Sequence, residues 1–285
     1  MESIEIKAYA KINLGLDVLS RRPDGYHNVR MIMQTIRLHD KLEIGRTKSN
    51  GIYVKTNLSY LPNDRNNLVY RAAELFFKTT KQSPQVYITL QKRIPVAAGL
   101  AGGSSDAAAT LTALNELFDA GLSADELRAM GVQLGADIPF CLLQGTALSE
   151  GIGEILTPLT PAPQCHCLIV KPSASVSTRY VYENLRLDHI VHPDIDAMLS
   201  AIQRGSLSGV CSALGNVLES VTLQKLPEIA VIKEQMLSLG AMGSLMSGSG
   251  PTVFGLFSDR SEAERAYYEF KVGEFGKTTY LTQFF

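Results

Sequence analysis

The sequence predicts an α+β protein, and three patterns support this prediction. Apolar and polar residues alternate over residues 4–19, which is typical of one bent β-strand or of two shorter ones. A further strand at 85–90 is followed by a glycine-rich loop and by a helix with apolar residues along one face. From residue 165 onward, strand-like and helix-like segments alternate along the chain. Together these patterns favour a compact fold that combines sheets with helices.

Size and composition exclude several classes of protein. The chain has 285 residues, 45% of them hydrophobic, which is enough for one large domain or two ordinary ones. A formal net charge of -1 and the lack of a basic tract argue against binding to nucleic acid or to an acidic membrane surface. No apolar run reaches transmembrane length, and the first residues lack the apolar core of a signal peptide. We therefore expect a soluble cytoplasmic protein that binds neither nucleic acid nor a membrane, with the oligomeric state left open.

Apolar periodicity and caps predict the elements of the first half. Ser123 followed by Glu126 forms a capping box at the start of a helix. The predicted elements are strands at 29–44 (broken near His39 and Asp40), 52–54, 85–90 and 140–148 (with a break at Gly145), and helices at 68–78 and 123–133.

A cluster of glycines and then prolines at 151–163 indicates a domain junction. We therefore expect one domain over residues 1–158 and a second over residues 159–285. A second Gly/Ser-rich turn occupies residues 241–251. The other predicted elements of this half are strands at 165–170, 252–257 and 278–284, and helices near 194–202, 210–221, 228–239 and 261–270.

Cysteine spacing predicts neither a disulfide framework nor a metal centre. Four cysteines in a chain of this length do not form a framework of bridges. Residues 165–167 read Cys-His-Cys, but this triplet lies in an apolar run that is typical of a buried strand, and no second pair of ligands follows it. His189 and His192 flank a Pro-Asp turn. We therefore expect no structural metal.

The glycine-rich loop is the strongest candidate for a binding site. Glycines allow sharp turns and a close approach of the backbone to a ligand. Ser104 or Ser105 is expected to cap the following helix, and Asp106 suits its positive first turn. A glycine-rich collar at a helix N-terminus is an anion site, most often for phosphate, although such a turn can also simply lead into a core helix. The candidate phosphate-binding residues are Pro95, Val96, Ala97, Ala98, Gly99, Leu100, Ala101, Gly102, Gly103, Ser104 and Ser105.

Polar residues near the N-terminus form a second candidate region. Lys11 and Asn13 interrupt the alternating strand, and their side chains point either to solvent or into a cleft. The turn Pro-Asp-Gly at 23–25 is followed by Tyr26 and His27. This corner is either an ordinary hairpin surface or a site that recognises a nucleobase, where tyrosine supplies a stacking face and histidine supplies a donor and an acceptor.

Asp137 is a third candidate, because it stands alone between apolar residues. A carboxylate in such surroundings is costly to bury without a partner. Asp137 therefore either caps a turn or is held for chemistry by a cationic group.

Other nucleotide-binding motifs are absent or incomplete. Residues 276–278 read Gly-Lys-Thr, but a P-loop requires a glycine where this chain has Lys271. No dinucleotide fingerprint follows a strand, and the protein-kinase motifs are missing. Any nucleotide binding would therefore depend on residues 95–105, supported by residues 243–251.

Three separate segments resemble the motifs of the GHMP small-molecule kinases. Residues 10–16 with 22–27 resemble the first motif, residues 95–109 the ATP-phosphate loop, and residues 243–251 the third motif. Ala101 departs from the pattern, because many relatives have glycine there. The resemblance implies the family's two-domain fold, with an N-terminal ATP-binding domain like ribosomal protein S5 domain 2 and a ferredoxin-like C-terminal domain.

The resemblance also implies a mechanism and a set of ligands. ATP binds with its phosphates at residues 95–105, and Mg²⁺ accompanies them, with Ser105 as a possible protein ligand. Asp137 accepts the proton of the attacking hydroxyl, and Lys11 keeps Asp137 ionised. Asn13 and His27 contact the substrate, and Tyr26 and Tyr182 enclose its base.

The pairing of the Lys-Ile-Asn and Asp-Gly-Tyr-His segments resembles the branch of the family that acts in non-mevalonate isoprenoid precursor synthesis. The substrate implied is a cytidine diphosphate-linked polyol, phosphorylated on its 2-hydroxyl. Two alternatives remain open: another GHMP kinase of a small alcohol such as homoserine or mevalonate, or a non-catalytic nucleotide-binding protein with the same fold.

Overall fold

The computed structural model describes residues 2–273 and 278–285. Packing divides the chain into two compact units, each built from separate segments. The first unit consists of Met1–Ala10, His39–Val96 and Ala101–Leu143, and the second of Lys11–Leu38, Ala97–Leu100 and Gln144–Phe285. This division follows contacts and not chain order, so the domain boundary expected at 158/159 stays a prediction.

Two long strands begin the fold. The alternating segment at the N-terminus is the single strand β1 (Ser3–Arg21), and the next segment is β2 (His27–Arg46). The break predicted near His39 and Asp40 is wrong, because β2 is continuous there. The side chain of Asp40 is fully buried, and its carboxylate accepts a hydrogen bond from the backbone N–H of Ile94 at 2.8 Å. A charged residue with such a partner can occupy a core strand without interrupting it.

The first unit packs helices on a sheet. β3 (Gly51–Thr56) runs parallel to β4 (Gln85–Gln91), and β4 pairs antiparallel with the end of β2. Apolar side chains from the strands and helices, such as Phe76, Ile88 and Leu111, form the core of this unit. The helices are α1 (Leu68–Thr80), α2 (Gly102–Leu117), α3 (Ala124–Val132) and α4 (Ile138–Leu143).

The second unit contains two groups of strands. β5 (Thr146–Glu150) pairs antiparallel with the first part of β2 and with β6 (Ile155–Pro158). A separate four-stranded antiparallel sheet has the order β11-β7-β10-β9. Its strands are β7 (His166–Lys171), β9 (Gly243–Met246), β10 (Val253–Phe257) and β11 (Thr278–Gln283).

The remaining elements of the second unit are helices and one short strand. β8 (Gly215–Asn216) runs parallel to the end of β1. Within the described residues, no helix has both the length and the apolar character needed to cross a membrane. The helices are α5 (Thr178–Asn184), α6 (Ile195–Gln203), α7 (Leu207–Ser212), α8 (Glu219–Lys225), α9 (Glu228–Ser238) and α10 (Arg260–Val272).

The structure corrects two predicted elements and confirms one cap. The strand predicted at 140–148 is wrong in its first part, because residues 138–143 form helix α4. A short apolar run does not distinguish a buried helix from a buried strand by its periodicity. The helix predicted at 210–221 is two helices separated by β8. The capping box of Ser123 and Glu126 is confirmed at the start of α3.

The cysteine-containing segment is a buried strand, as its composition predicts. All four cysteines are buried and none is in a disulfide, and burial raises the pKa of the Cys211 thiol to about 11. Across residues 2–273 and 278–285, no three His, Cys, Asp or Glu side chains are grouped closely enough to hold a metal ion. Of the rejected Gly-Lys-Thr match, Gly276 and Lys277 lie outside the described residues.

Candidate active site

The glycine-rich loop has an unusual alternating backbone. Ala97, Gly99 and Ala101 have positive φ angles of 51°, 74° and 54°. Left-handed residues that alternate with others turn backbone N–H groups into concavities that bind anions. An L-residue in this conformation costs roughly 1–2 kcal/mol, and such strain is concentrated at functional sites. The loop geometry therefore supports the predicted anion site, and it shows that Ala101 adopts a conformation in which glycine would be less strained.

The start of α2 differs from the prediction in its cap. The helix begins at Gly102, and its N-cap is Ala101, which makes no side-chain capping hydrogen bond. The expected cap by Ser104 or Ser105 is therefore wrong. The Ser105 hydroxyl, which is buried, donates instead to the carbonyl oxygen of Tyr9 at 2.6 Å. Because no side chain caps this helix, its first N–H groups suit an anionic ligand.

The two adjacent glycines of α2 have different surroundings. A methyl group on Gly102 would lie 2.9 Å from Cγ2 of Ile94 and 3.1 Å from Nζ of Lys92. A methyl group on Gly103 would meet nothing nearer than Leu68, at 4.0 Å, and Gly103 is exposed. Gly102 is therefore required by packing inside the first unit, whereas Gly103 keeps the surface of the helix N-terminus open.

Within the second unit, residues 97–100 pack directly on the second Gly/Ser-rich turn. The Ser247 hydroxyl donates to the carbonyl oxygen of Gly99 at 3.0 Å. A methyl group on Gly99 would lie only 2.2 Å from the carbonyl oxygen of Ser247. The two backbones touch because Gly99 on one segment and Gly248 on the other have no side chain at this crossing. The second turn therefore supports the part of the first loop that lies in the same unit.

Side chains of the second unit bind the backbone of the second Gly/Ser-rich turn. The Asn216 amide donates to the carbonyl oxygens of Met246 and Gly248, both at 2.8 Å. The carboxylate of Glu219 accepts from the backbone N–H of Met246 at 2.9 Å and from Lys233 at 2.6 Å. These contacts leave the turn little freedom. Sequence reasoning missed Asn216 because it lies in a two-residue strand without a recognisable pattern.

Lys11 and Asn13 lie side by side on β1, because residues i and i+2 of a strand share a face. Lys11 Nζ donates to Asn13 Oδ1 at 2.8 Å, and the backbone N–H of Lys11 donates to the carbonyl oxygen of Leu100 at 3.1 Å. Lys11 is 5% exposed and Asn13 is fully buried. Of the two alternatives for Lys11, solvent is thus excluded. Asn13 orients the Lys11 ammonium in this structure.

Asp137 precedes α4 in the first unit. Its carbonyl oxygen accepts from the backbone N–H of Cys141 at 3.1 Å, so it stands at the N-terminal end of that helix. α4 packs closely on α3, since a methyl group on Gly131 would lie 2.8 Å from Cγ2 of Ile138. Asp137 is half-buried, and a carboxylate is stabilised at a helix N-terminus. Lys11 belongs to the other unit, so the pairing of these two residues stays a prediction.

The structure brings His27 and Tyr182 together in the second unit. Their ring centroids are 5.2 Å apart, with an angle of 37° between the ring planes. Partial burial, together with the positive charge of Arg21, lowers the pKa of His27 below its ordinary value. Tyr26 is 59% exposed, beyond a turn closed by a hydrogen bond from its own N–H to the Asp24 carboxylate at 3.1 Å. A neutral imidazole, a partner ring and an open tyrosine face suit a planar heterocycle.

Sequence reasoning also missed a buried charge cluster of the first unit. Lys92 Nζ donates to Asp40 at 2.5 Å and to Asp106 at 2.7 Å. Asp106 was expected to complement the first turn of α2, but its carboxylate points into this cluster. The signal available in the sequence is Asp40 within an apolar strand, which implies a buried cation somewhere in the fold.

Two family models match the chain. Residues 67–145 match the GHMP kinases N terminal domain, and residues 198–273 match GHMP kinases C terminal. These matches confirm the expected two-domain fold class. They also cover the glycine-rich loop, Asp137 and the second Gly/Ser-rich turn.

Individual relatives match almost the whole chain. A protein from Lachnoclostridium phytofermentans named 4-diphosphocytidyl-2-C-methyl-D-erythritol kinase is 61% identical, over 100% of this chain and 98% of its own. A protein of the same name from Geobacillus thermodenitrificans is 52% identical, over 93% of this chain and 91% of its own. A crystal structure of a 4-(cytidine 5'-diphospho)-2C-methyl-D-erythritol kinase superposes with a TM-score of 0.85 at 37% identity, covering 99% of both chains.

Sequence identity at this level over the full length indicates membership of the same family, and not only a similar fold. The chain therefore belongs to the GHMP kinase family, within the group of proteins named 4-diphosphocytidyl-2-C-methyl-D-erythritol kinase.

Proposed function

We infer that this protein is an ATP-dependent kinase that phosphorylates the 2-hydroxyl of 4-diphosphocytidyl-2-C-methyl-D-erythritol, a step of non-mevalonate isoprenoid precursor synthesis. The observation that carries this inference is the 61% identity, over the whole chain, to a kinase of that name. The uncapped helix N-terminus behind a left-handed loop supports it, because this geometry suits the phosphates of ATP.

In the proposed mechanism, Asp137 accepts the proton of the substrate hydroxyl as that oxygen attacks the γ-phosphate. Lys11 is the cationic partner that keeps Asp137 ionised, since a nearby positive charge stabilises a carboxylate. The hydrogen bond from Lys11 to Asn13 supports this role, because it holds the ammonium in one place. Phosphoryl transfer depends mainly on positioning and charge stabilisation, which these residues and the loop would supply.

We propose that His27, Tyr26 and Tyr182 recognise the cytosine base. Cytosine offers an amino donor beside ring and carbonyl acceptors. A neutral imidazole has one donor and one acceptor, and the lowered pKa of His27 favours that form at neutral pH. The rings of Tyr26 and Tyr182 would provide stacking surfaces, and Asn13 would contact the substrate next to Lys11.

Magnesium is proposed to arrive with ATP. The described residues contain no cluster of carboxylates or imidazoles that could enclose a metal ion, and Mg²⁺ in kinase sites commonly takes most of its ligands from phosphates and water. Ser105 can offer only a hydroxyl oxygen whose proton is donated to Tyr9. When bound, the ion would neutralise phosphate charge, and the residues around it would position ATP.

The test compares Asp137→Asn with the unchanged protein and with Asp125→Asn. Asp125 is an exposed aspartate of the same unit, so its variant controls for a general loss of charge. We expect Asp137→Asn to lower kcat by about 10²- to 10⁴-fold, the contribution of a positioned base, with ATP binding retained. The assay measures ADP release and phosphorylated product from the cytidyl substrate.

Unchanged turnover in Asp137→Asn would remove this residue from the mechanism. If the unchanged protein forms no product from this substrate, the proposed function is rejected. Competition by cytidine diphosphate then distinguishes two alternatives. A different GHMP kinase has no cytosine site and should not respond to this nucleotide, whereas a protein that recognises the base without phosphorylating its substrate should bind it.

A further inference from the structure

A buried charge cluster joins the two chain segments that flank the glycine-rich loop. Lys92, at the end of β4, bridges Asp40 on β2 and Asp106 on α2, with Nζ to oxygen distances of 2.5 and 2.7 Å. None of the three side chains is more than 5% exposed. All three belong to the first unit.

Asp40 holds the segment that enters the loop. Its second oxygen, Oδ1, accepts from the backbone N–H of Ile94 at 2.8 Å and also from the backbone N–H of Arg93. Those two residues immediately precede Pro95, the first residue of the candidate phosphate loop. One carboxylate therefore binds two successive backbone N–H groups at the point where the chain enters the loop.

Asp106 and Lys92 hold the segment that leaves the loop. Asp106 lies in the second turn of α2, and Lys92 lies beneath its first turn, 3.1 Å from where a Cβ of Gly102 would be. The same ammonium thus contacts the entry segment through Asp40 and the exit segment through Asp106. A displacement of Lys92 would move both ends of the loop.

The cluster is not explained by stability. Burying charges is expensive, and replacing a buried ion pair by apolar side chains of similar volume is often neutral or stabilising. One lysine also faces two carboxylates, and Asp106 Oδ1 is buried without a hydrogen-bond partner. Burial raises the pKa of Asp106 well above its ordinary value, the charge of Lys92 opposes that rise, and the charge of Asp40 adds to it.

A protonated Asp106 makes the cluster neutral. The alternative is a net negative charge directly beneath an anion-binding helix N-terminus, which would oppose phosphate binding. A neutral cluster can hold the two ends of the loop in place without repelling phosphate.

We propose that Asp40, Lys92 and Asp106 are positioning residues for ATP: they set the distance and direction between the two ends of the phosphate-binding loop, with both carboxyl groups accepting hydrogen bonds from Lys92. This proposal rests on the proposed function only in assigning ATP to the loop.

The experiment measures ATP affinity by calorimetry, and KM and kcat by turnover, for three variants. Asp106→Asn keeps an oxygen for Lys92 and leaves the cluster neutral, so its ATP affinity should stay within about threefold of the unchanged protein. Asp106→Ala removes the acceptor. We expect it to weaken ATP binding and raise KM for ATP at least about tenfold, because small displacements in a binding site cost that much or more. KM for the cytidyl substrate should not change.

The triple variant Asp40→Asn/Lys92→Met/Asp106→Leu provides a test if Asp106→Ala does not fold. It removes all three charged groups, so no buried ion is left without a partner, and the amide oxygen introduced at position 40 can still accept from the backbone N–H groups of Arg93 and Ile94. We expect a folded protein with the same weakened ATP binding. Val86→Ala is the matched control. Val86 is buried on β4 of the same unit but is not one of the three residues of the charge cluster.

Three results would overturn the proposal: ATP affinity unchanged in the triple variant, equal weakening in Val86→Ala at the same loss of thermal stability, or Asp106→Asn as impaired as Asp106→Ala. A failure of the proposed function appears differently. In that case the unchanged protein does not phosphorylate the cytidyl substrate, while calorimetry with ATP still compares the variants.

Discussion

The two glycine-rich segments of this chain look alike in sequence but differ in their surroundings. Residues 95–105 include exposed positions, among them Val96, Ala97 and Gly103, and lead into a helix without a side-chain cap. The turn at 247–250 is entirely buried, and its backbone is bound by the side chains of other elements. The first segment has exposed positions that a ligand could reach, and the second supports residues 97–100 of the first within their common unit.

The difference teaches that glycine content alone does not identify a phosphate site. At Gly99 the missing side chain lets two backbones cross, whereas at Gly103 it leaves space at the surface. Only at the first kind of position would an added side chain clash with the rest of the fold.

The largest effect is expected for Gly99→Ala. The new methyl group would lie 2.2 Å from the carbonyl oxygen of Ser247, and the residue has a φ of +74°. We expect the free energy of unfolding to fall by about 4 kcal/mol or more, because backbone strain and a clash with backbone atoms add together. Chemical denaturation followed by circular dichroism measures this loss.

Gly145→Ala is the matched control for that variant. Gly145 belongs to the same unit and has the same φ of +74°, but nothing lies within 4 Å of its added methyl group. It should lose only about 1–2 kcal/mol, the cost of the left-handed backbone. Equal losses in the two variants would show that the crossing of the two segments contributes nothing.

A smaller loss of stability is expected for Asn216→Ala. This change leaves the carbonyl oxygens of Met246 and Gly248 without their amide donor, inside the protein. We expect a loss of about 2–3 kcal/mol in the free energy of unfolding, since buried polar groups without partners are costly. Asn184→Ala, which removes one exposed hydrogen bond to Tyr180, should cost about 0.5 kcal/mol. A loss no larger than this control would mean that the turn is held by its other contacts.

The smallest effects distinguish the neighbouring glycines of α2. Gly102→Ala crowds Ile94 and Lys92 and should lower the free energy of unfolding by about 1–2 kcal/mol. Gly103→Ala adds helix propensity at an open position and should stabilise the fold by about 0.5–1 kcal/mol.

The two glycine positions should also differ in their effect on ATP affinity. Gly103→Val should weaken ATP binding by about tenfold, or 1.4 kcal/mol, if phosphate approaches this surface. Calorimetry measures that affinity, and unfolding experiments on the same samples measure stability. Unchanged ATP affinity in Gly103→Val would place the phosphate elsewhere. If changes at Gly102 altered ATP affinity and changes at Gly103 altered stability, the roles of the two glycines would be reversed.

The order of elements around the loop could be predicted from sequence with little error. The strand before it, the helix after it and the capping box at Ser123 depend on periodicity and caps within a few residues. The errors have a common cause. Residues 138–143 form a helix because they pack against α2 and α3, and Ser105 does not cap α2 because its hydroxyl bonds to Tyr9. These are long-range contacts that no local pattern contains.

The candidate site shows the same limit. Lys11, Asn13, His27 and Asp137 could be named because their residue types, positions and family resemblance identify them. The partners of Lys92 could not, since Asp40 and Asp106 are 52 and 14 residues away in sequence.

Composition, local periodicity and motifs were enough to predict the fold class, the family and the candidate phosphate-binding loop. The folded chain was needed to show which glycines serve packing, which side chains hold the second turn, and that a buried lysine bridges the ends of the loop. Burial and hydrogen bonding between distant segments depend on which residues the fold brings together. Local sequence patterns do not contain that information.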